Sequence, residues 1–338
     1  MKNLPIHDVL EDIKTTLNTN STLILEAPPG AGKSTIVPIS LLSQPWLEDK
    51  IIIMLEPRRV AARMVAVQMA KLLGEEVGQS VGYQVKMDSC YSKQTKLLVV
   101  TEAILVRKLQ SDQALEDVAM VIFDEFHERS IHTDLSLALC LQVQELLRPD
   151  LKLLIMSATL DSLELTNLLG KIPVINSKGK IYDVENIYLE TNIKQPDSKS
   201  INTLLLNTTL KAIKEDGGDI LVFLAGSREI QRLQVLLEES LKGTEIEVLP
   251  LYSTLSKEKQ DKAISKSSKR KIILSTNIAQ TSLTIEGVKV VIDSGLEKVS
   301  LYNYSNGMNH LELSFISNDS AIQRAGRAGR LSNGKCYK

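Results

Sequence analysis

The chain has 338 residues, of which 43% are apolar and 24% charged, with a formal net charge of -1. That length suggests about two domains, and the ordinary balance of apolar and charged residues excludes a collagenous or largely disordered chain. Cys90, Cys140 and Cys336 are too scattered for a disulfide framework or a CxxC zinc site, which fits a reducing compartment.

The N-terminal "MKNLPIHDVLEDIK" carries early acids and no signal-peptide core. No apolar run approaches the ~18 residues of a membrane span. A cytoplasmic monomer with no membrane contact is therefore expected. Charge is uneven, -5 up to residue 175 and +4 beyond it, so the second half better suits an anion-facing surface.

The first elements read as buried strands. "TLILEA" (22–27), "IIIMLE" (51–56), "KLLVVT" (96–101), "MVIFDE" (120–125) and "LKLLIMS" (151–157) are apolar runs without polar alternation. Such runs mark strands covered on both faces of a parallel sheet. Stretches between them, such as "RRVAARMVAVQMAKLLG", read as amphipathic helices ending at glycine. The fold class is α/β, doubly wound.

A polar stretch at 176–200 separates a first domain, 1–175, from a second, 201–338, and serves as the linker region, although "YDVENIYLE" inside it alternates like a strand. The pattern then restarts with "DILVFL" (219–224), "IEVLPLY" (246–252), "KIILST" (271–276) and "VKVVIDS" (288–294). Two similar sheets in tandem are expected. In "KVSLYNYSNGMNHLELSFIS" alternating residues flank Asn306-Gly307, which predicts a β-hairpin late in the second domain. "GKCYK" reads as a last strand at a fraying sheet edge.

The chemistry begins at "LILEAPPGAGKST". Gly30, Ala31, Gly32, Lys33, Ser34 and Thr35 follow a strand and open a helix, the setting of a phosphate-binding loop. Glycines let backbone N–H groups turn toward phosphates, Lys33 neutralises them, and Ser34 offers a Mg²⁺ ligand. Pro38 sits early in that helix and is expected to kink it or cost a hydrogen bond. "MVIFDEFHERS" ends a greasy strand on two carboxylates, which is costly unless a cation answers them. Mg²⁺ brought by a nucleotide is that cation. Asp124 anchors it with Ser34, and Glu125 is free to act as general base on water.

At this point the sequence resembles the DExH-box helicases of superfamily 2. "DEFH" looks like their signature. "EPRRVAAR" (56–63), "TEAILVRKL" (101–109), "SAT" (157–159), "LVFLAGSREI" (221–230), "STNIAQTSLTI" (275–285) and "QRAGRAGR" (323–330) resemble their motifs Ia, Ib, III, IV, V and VI in family order. The resemblance covers essentially the whole chain and is nearest the DEAH/RHA group, and within it the bacterial HrpB type. It implies two tandem RecA-like domains that hydrolyse ATP between them, with Mg²⁺, to move along single-stranded nucleic acid, RNA being expected. Arg327 and Arg330, three apart on one helical face, would act as arginine fingers, and Gln323 would help hold the attacking water. His127, Ser157 and Thr159 would couple nucleotide state to movement, His127 by bridging toward motif VI. Arg58, Arg59, Thr101, Arg228 and Thr276 would touch the strand backbone. One departure is Gln280, where the family usually has Glu. A second reading is a nucleotide-dependent nucleic-acid-binding fragment that does not unwind, since the chain stops just after "QRAGRAGR". A P-loop kinase is disfavoured, because it needs neither tandem sheets nor that distal motif.

Overall fold

Residues 4–158, 166, 169–179, 182–189, 198–280, 285–330 and 332–338 are described by the structure, a computed structural model. The chain divides into two compact units, Met1–Lys180 and Ile181–Lys338.

The apolar runs of the first unit become the middle of one sheet. Its strands are β1 (Thr22–Glu26), β2 (Ile51–Leu55), β3 (Val81–Val85), β4 (Asp88–Cys90), β5 (Leu97–Val100), β6 (Val118–Phe123), β7 (Lys152–Ser157) and β8 (Val174–Asn176), in the order β4-β3-β5-β2-β6-β7-β1-β8. Among the described residues of this sheet, only the β3–β4 pair is antiparallel.

Strand residues alternate between faces. Leu23, Leu25, Met120 and Ile122 enter one core, and Ile24, Val121 and Phe123 enter the other. Helices α1 (Leu10–Thr19), α2 (Lys33–Leu41) and α3 (Arg59–Leu73) cover the first through Ile13, Leu17, Val37, Val65 and Met69. Helices α4 (Glu102–Ser111) and α5 (Ile131–Leu146) cover the second through Leu105, Leu109, Leu137 and Val143. Phe123 is fully buried, so trimming it to alanine should cost about 3–5 kcal/mol.

Local signals fix the helix ends. Gly74 takes φ 76° and closes α3 by donating to Ala70 and Lys71 carbonyls. Pro38 lies inside α2, and the helix runs only three residues past it.

In the second unit β9 (Val184–Ile187), β10 (Asp219–Phe223), β11 (Glu247–Leu251), β12 (Lys271–Ser275), β13 (Val288–Asp293) and β16 (Gly334–Tyr337) form a parallel sheet in the order β11-β12-β10-β13-β16-β9. Its helices are α6 (Ser198–Glu215), α7 (Ser227–Ser240), α8 (Lys257–Ile264) and α9 (Asn318–Ala325). Leu205, Ile230, Leu233 and Leu237 pack on Ile220, Val222, Ile272 and Val290.

Two expectations change here. β16 is not the sheet edge: it sits between β13 and β9. The stretch 176–200, read as a linker region, holds the end of β8 and all of β9, so it is shared between the two sheets. The edge strand β11 contains Pro250, which a central strand would not tolerate. The expected hairpin is present as a separate two-stranded sheet of β14 (Leu296–Asn303) and β15 (Met308–Phe315), turning at Gly307 with φ 68°.

Candidate active site

Open α/β sheets place ligands at or just beyond the carboxyl ends of their parallel strands. In the first unit the phosphate-binding loop follows β1, Arg58 and Arg59 follow β2, Thr101 follows β5, Asp124 and Glu125 follow β6, and Ser157 ends β7.

The loop geometry explains its glycines. Gly30 and Gly32 take φ 83° and 99°. Around Gly30 a Cβ would meet nothing within 4 Å, so its need is conformational alone. At Gly32 a Cβ would also lie 2.9 Å from Leu4 Cδ1. The Ile6 N–H donates to Ala31 at 3.2 Å and pins the loop to the N-terminal segment. Lys33, Ser34 and Thr35 then form the first turn of α2, whose N-terminus suits an anion.

Lys33 and Glu125 meet directly. Lys33 Nζ donates to Glu125 Oε1 at 3.1 Å, with the side chains 4% and 7% exposed. Burial works against the Lys33 ammonium, but Glu125, Asp124 and Glu56 together outweigh it and raise its pKa. Burial pushes the Asp124 carboxyl up; Lys33 opposes that shift and the Glu125 charge adds to it.

Asp124 Oδ1 accepts the Glu125 N–H at 2.8 Å, while Oδ2 is buried with no hydrogen-bond partner among the described residues. The Ser34 hydroxyl is close enough to lower the Asp124 pKa by hydrogen bonding. A buried, unanswered carboxylate oxygen beside a hydroxyl is a donor set that fits Mg²⁺. Glu125 itself takes φ 49°, and Arg129 φ 44°, sparsely populated conformations for residues with side chains.

His127 ties this cluster to β7. The Ala158 N–H donates to His127 Nδ1 at 3.3 Å, with Ser157 Oγ 3.5 Å from the same nitrogen. An accepting Nδ1 puts the proton of the neutral ring on Nε2, which faces Glu125 Oε2 at 3.4 Å. His127, expected to bridge toward motif VI, thus links "DEFH" to "SAT" within the first unit. Thr159 lies outside the described residues.

Among the expected strand contacts, Arg59 is exposed and Thr101 half-buried at the start of α4. Arg58 pairs with Glu128 at 3.0 Å. Sequence reading missed that pairing, because the partners lie far apart in the chain. Ser130 caps α5 and, with Thr133, donates to Glu102 at 2.8 and 2.6 Å, locking the segment after "DEFHER" to α4.

The second unit assembles its own cluster. Arg228 is exposed in the first turn of α7, and Thr276 is half-buried after β12. Gln323 lies in the last turn of α9. Arg327 and Arg330 do not share a helical face as expected, because α9 ends at Ala325. Beyond it the chain turns through bonds from Arg327 N to Arg324 O and Ala328 N to Ala325 O. Glycines at 326 and 329 disfavour continued helix. A Cβ on Gly329 would meet the Tyr182 carbonyl at 2.7 Å.

Arg324, unnoticed in the sequence, is fully buried. It donates to Asp293 Oδ1 at 2.9 Å and stacks over Phe223 at 4.9 Å. Arg327 Nε donates to the Gln280 carbonyl at 2.9 Å. Residues 281–284 of motif V lie outside the described residues.

Known proteins are similar to this chain in sequence and structure. The DEAD/DEAH box helicase family matches residues 9–168, and the helicase conserved C-terminal domain matches residues 200–332. The chain is 45% identical over 336 residues to the ATP-dependent RNA helicase HrpB of Escherichia coli (strain K12), spanning 99% of this chain and 41% of that protein. It is 36% identical over 338 residues to the ATP-dependent RNA helicase HrpA of Borreliella burgdorferi, again spanning 41% of the relative. The crystal structure of the Escherichia coli DEAH/RHA helicase HrpB superposes with a TM-score of 0.90 at 44% identity, over 99% of this chain and 42% of that one. A crystal structure of the E. coli DExH-box NTPase HrpB gives 0.83 at 44% identity, over 100% of this chain and 41% of that one. Both units are therefore RecA-like, and the chain spans about two fifths of the relatives it matches.

Proposed function

The chain belongs to the DExH helicases of the HrpB type within the DEAD/DEAH box family, and from that premise we propose that it hydrolyses ATP to drive movement along single-stranded RNA. The observation that carries the reading is the buried Lys33–Glu125–Asp124 cluster beside the phosphate-binding loop. It holds one lysine against two carboxylates, with one carboxylate oxygen unanswered.

Ser34 and Asp124 would hold Mg²⁺, which when bound neutralises phosphate charge. Backbone N–H groups of 30–35 would cradle the phosphates, and Lys33 would exchange Glu125 for them. Glu125, so released, is placed to take the proton of the attacking water, oriented by His127 Nε2. Arg327 and Arg330 are the cations the second unit offers to the γ-phosphate. Gln323 would help hold the attacking water. Arg58, Arg59, Thr101, Arg228 and Thr276 would meet the RNA backbone, contacts that carry no base sequence.

The test is ATP hydrolysis by the chain with and without single-stranded RNA or DNA of equal length. Hydrolysis stimulated by RNA supports the reading, and displacement of a labelled strand from a duplex separates unwinding from nucleotide-dependent binding. Absence of hydrolysis with either nucleic acid would overturn it.

A further inference from the structure

The strand order of the first unit sets the path of the "DEFHERS" segment. β5, β2 and β6 are consecutive neighbours, so the carboxyl ends of β6 and β5 lie about 10 Å apart, two strand spacings. After β6 the chain runs back across the ends of β2 and β5 before α5 begins. Glu128 meets Arg58, which follows β2, at 3.0 Å. Ser130 then meets Glu102, which follows β5, at 2.8 Å. Both contacts fall on segments assigned above to the RNA backbone. One is Arg58 itself, and the other is the neighbour of Thr101.

The crossing is held in a sparsely populated shape. Glu125 and Arg129, which flank its short helical turn, take φ 49° and 44°. Such conformations persist where the surroundings impose them. Glu102 fixes the far end. Its Oε1 accepts from Thr133 Oγ1 at 2.6 Å and its Oε2 from Ser130 Oγ at 2.8 Å. Ser130 Oγ in turn accepts the Thr133 N–H at 3.0 Å and so caps α5. Each hydroxyl has a single proton to give, and the carboxylate takes both, one on each oxygen. Glu102 lies in the first turn of α4 and its carboxylate meets the first turn of α5, so two helix N-termini favour its charge. The tie is charge-assisted and two-pronged, stronger than a bond between neutral groups. Thr101 holds the N-cap position of α4 but makes no capping bond with its side chain, which suits its hydroxyl to a phosphate.

We infer that Glu102 is a positioning residue that couples strand binding to hydrolysis. A backbone phosphate held at Thr101 fixes the first turn of α4, and Glu102 passes that constraint through Ser130 and Thr133 to the segment that aims Glu125. The inference rests on the reading above, in which Thr101 meets RNA and Glu125 activates water. Glu102 itself touches neither RNA nor nucleotide, and the whole route lies within the first unit.

The experiment is steady-state ATP hydrolysis by the intact chain with and without saturating oligouridine, read as the ratio of the two kcat values. Thermal melting and the Kd for oligouridine are measured beside it. Glu102→Ala is expected to lower the ratio about tenfold, or to 1 where the parent's ratio is smaller, the size of one lost hydrogen bond to a charged group. The Kd for oligouridine is expected to stay within about threefold, since Glu102 makes no phosphate contact. Glu102→Gln, which keeps an accepting oxygen, is expected to retain most of the ratio. Thr133→Val keeps the shape and the Ser130 cap but removes one prong. It is expected to lower the ratio in the parent and to lower it no further in the Glu102→Ala background, as for two residues acting through one contact. A parental ratio in Glu102→Ala would overturn the inference. So would a fall of both kcat values by the same factor, which is what a merely structural tie gives. An added loss from Thr133→Val in the Glu102→Ala background would overturn it too, since the two would then act separately. No hydrolysis by the parent chain, or hydrolysis indifferent to oligouridine, would instead remove the underlying reading.

Discussion

Lys33 Nζ and Glu125 Oε1 lie 3.1 Å apart in a buried pair, so the group that should meet phosphate and the group that should activate water satisfy each other. A buried pair of this kind is a poor source of net stability, because desolvation of both charges offsets their attraction. It is, however, a ready exchange site. An incoming phosphate would offer Lys33 a new partner and release Glu125 only then. Hydrolytic competence would thereby be tied to nucleotide arrival.

Glu125→Gln should keep ATP binding and lose hydrolysis by a factor on the order of 10² or more, the usual contribution of a general base. Calorimetric titration with Mg-ATP and a phosphate-release assay measure the two halves separately. Near-parental turnover would show that another group takes the proton.

Arg327→Ala should leave ATP affinity largely intact and slow hydrolysis by on the order of 10³, as for an arginine finger. The substitution also removes a donor from the Gln280 carbonyl. Thermal melting of the variant therefore belongs beside the kinetics. Loss of RNA binding with hydrolysis preserved would place Arg327 on the strand instead.

Arg58, paired with Glu128, is also proposed to meet the RNA backbone. Arg58→Ala should weaken RNA binding and reduce the slope of log affinity against log salt by about 0.7, the share of one phosphate contact on a single strand. Glu128→Gln should move affinity the other way by loosening a half-exposed ion pair. Fluorescence anisotropy of a labelled RNA across a KCl series reads both. If Arg58→Ala changes neither affinity nor slope, the arginine serves only its ion pair.

Asp216 gives the second unit a pH dependence. Burial would raise its pKa, but hydrogen bonds from Lys335 at 2.8 Å and Tyr337 at 2.7 Å hold it below the ordinary value. A lowered carboxylate pKa contributes stability above its unfolded value, about 3.9, and loses it as pH falls through the folded value. Asp216→Asn should therefore lower the urea midpoint at pH 7, and the gap should close below about pH 4. A gap that persists unchanged at pH 3 would mean that the effect is not one of charge.

Much of the fold was legible because the central strands are buried on both faces and so read as unbroken apolar runs. β3 and β4 escaped for the opposite reason. "VGYQV" carries Gly82 and Gln84, and the edge strand "DSC" is short and partly exposed. The phosphate-binding loop and Asp124–Glu125 were legible because their chemistry is contiguous. Arg58–Glu128, His127–Ser157 and Gln280–Gln323 were not, since each pair is made by the sheet bringing distant loops together. "QRAGRAGR" misled in one respect. Spacing alone suggested one helical face, but the glycines end the helix before the arginines arrive.

The placement of β16 between β13 and β9 has a consequence for synthesis. β9 opens the second unit, yet among the described residues its only strand neighbour is β16, and nearly the whole unit separates them in sequence. As the chain emerges from the ribosome, Val184–Ile187 must wait, unpaired, until Gly334–Tyr337 is made. A loop of that length closes slowly, and an unpaired strand edge invites association with other chains meanwhile. Ribosome stalling before residue 334 should therefore yield a nascent second unit that is protease-sensitive at β9, while the first unit, complete by β8, is already protected.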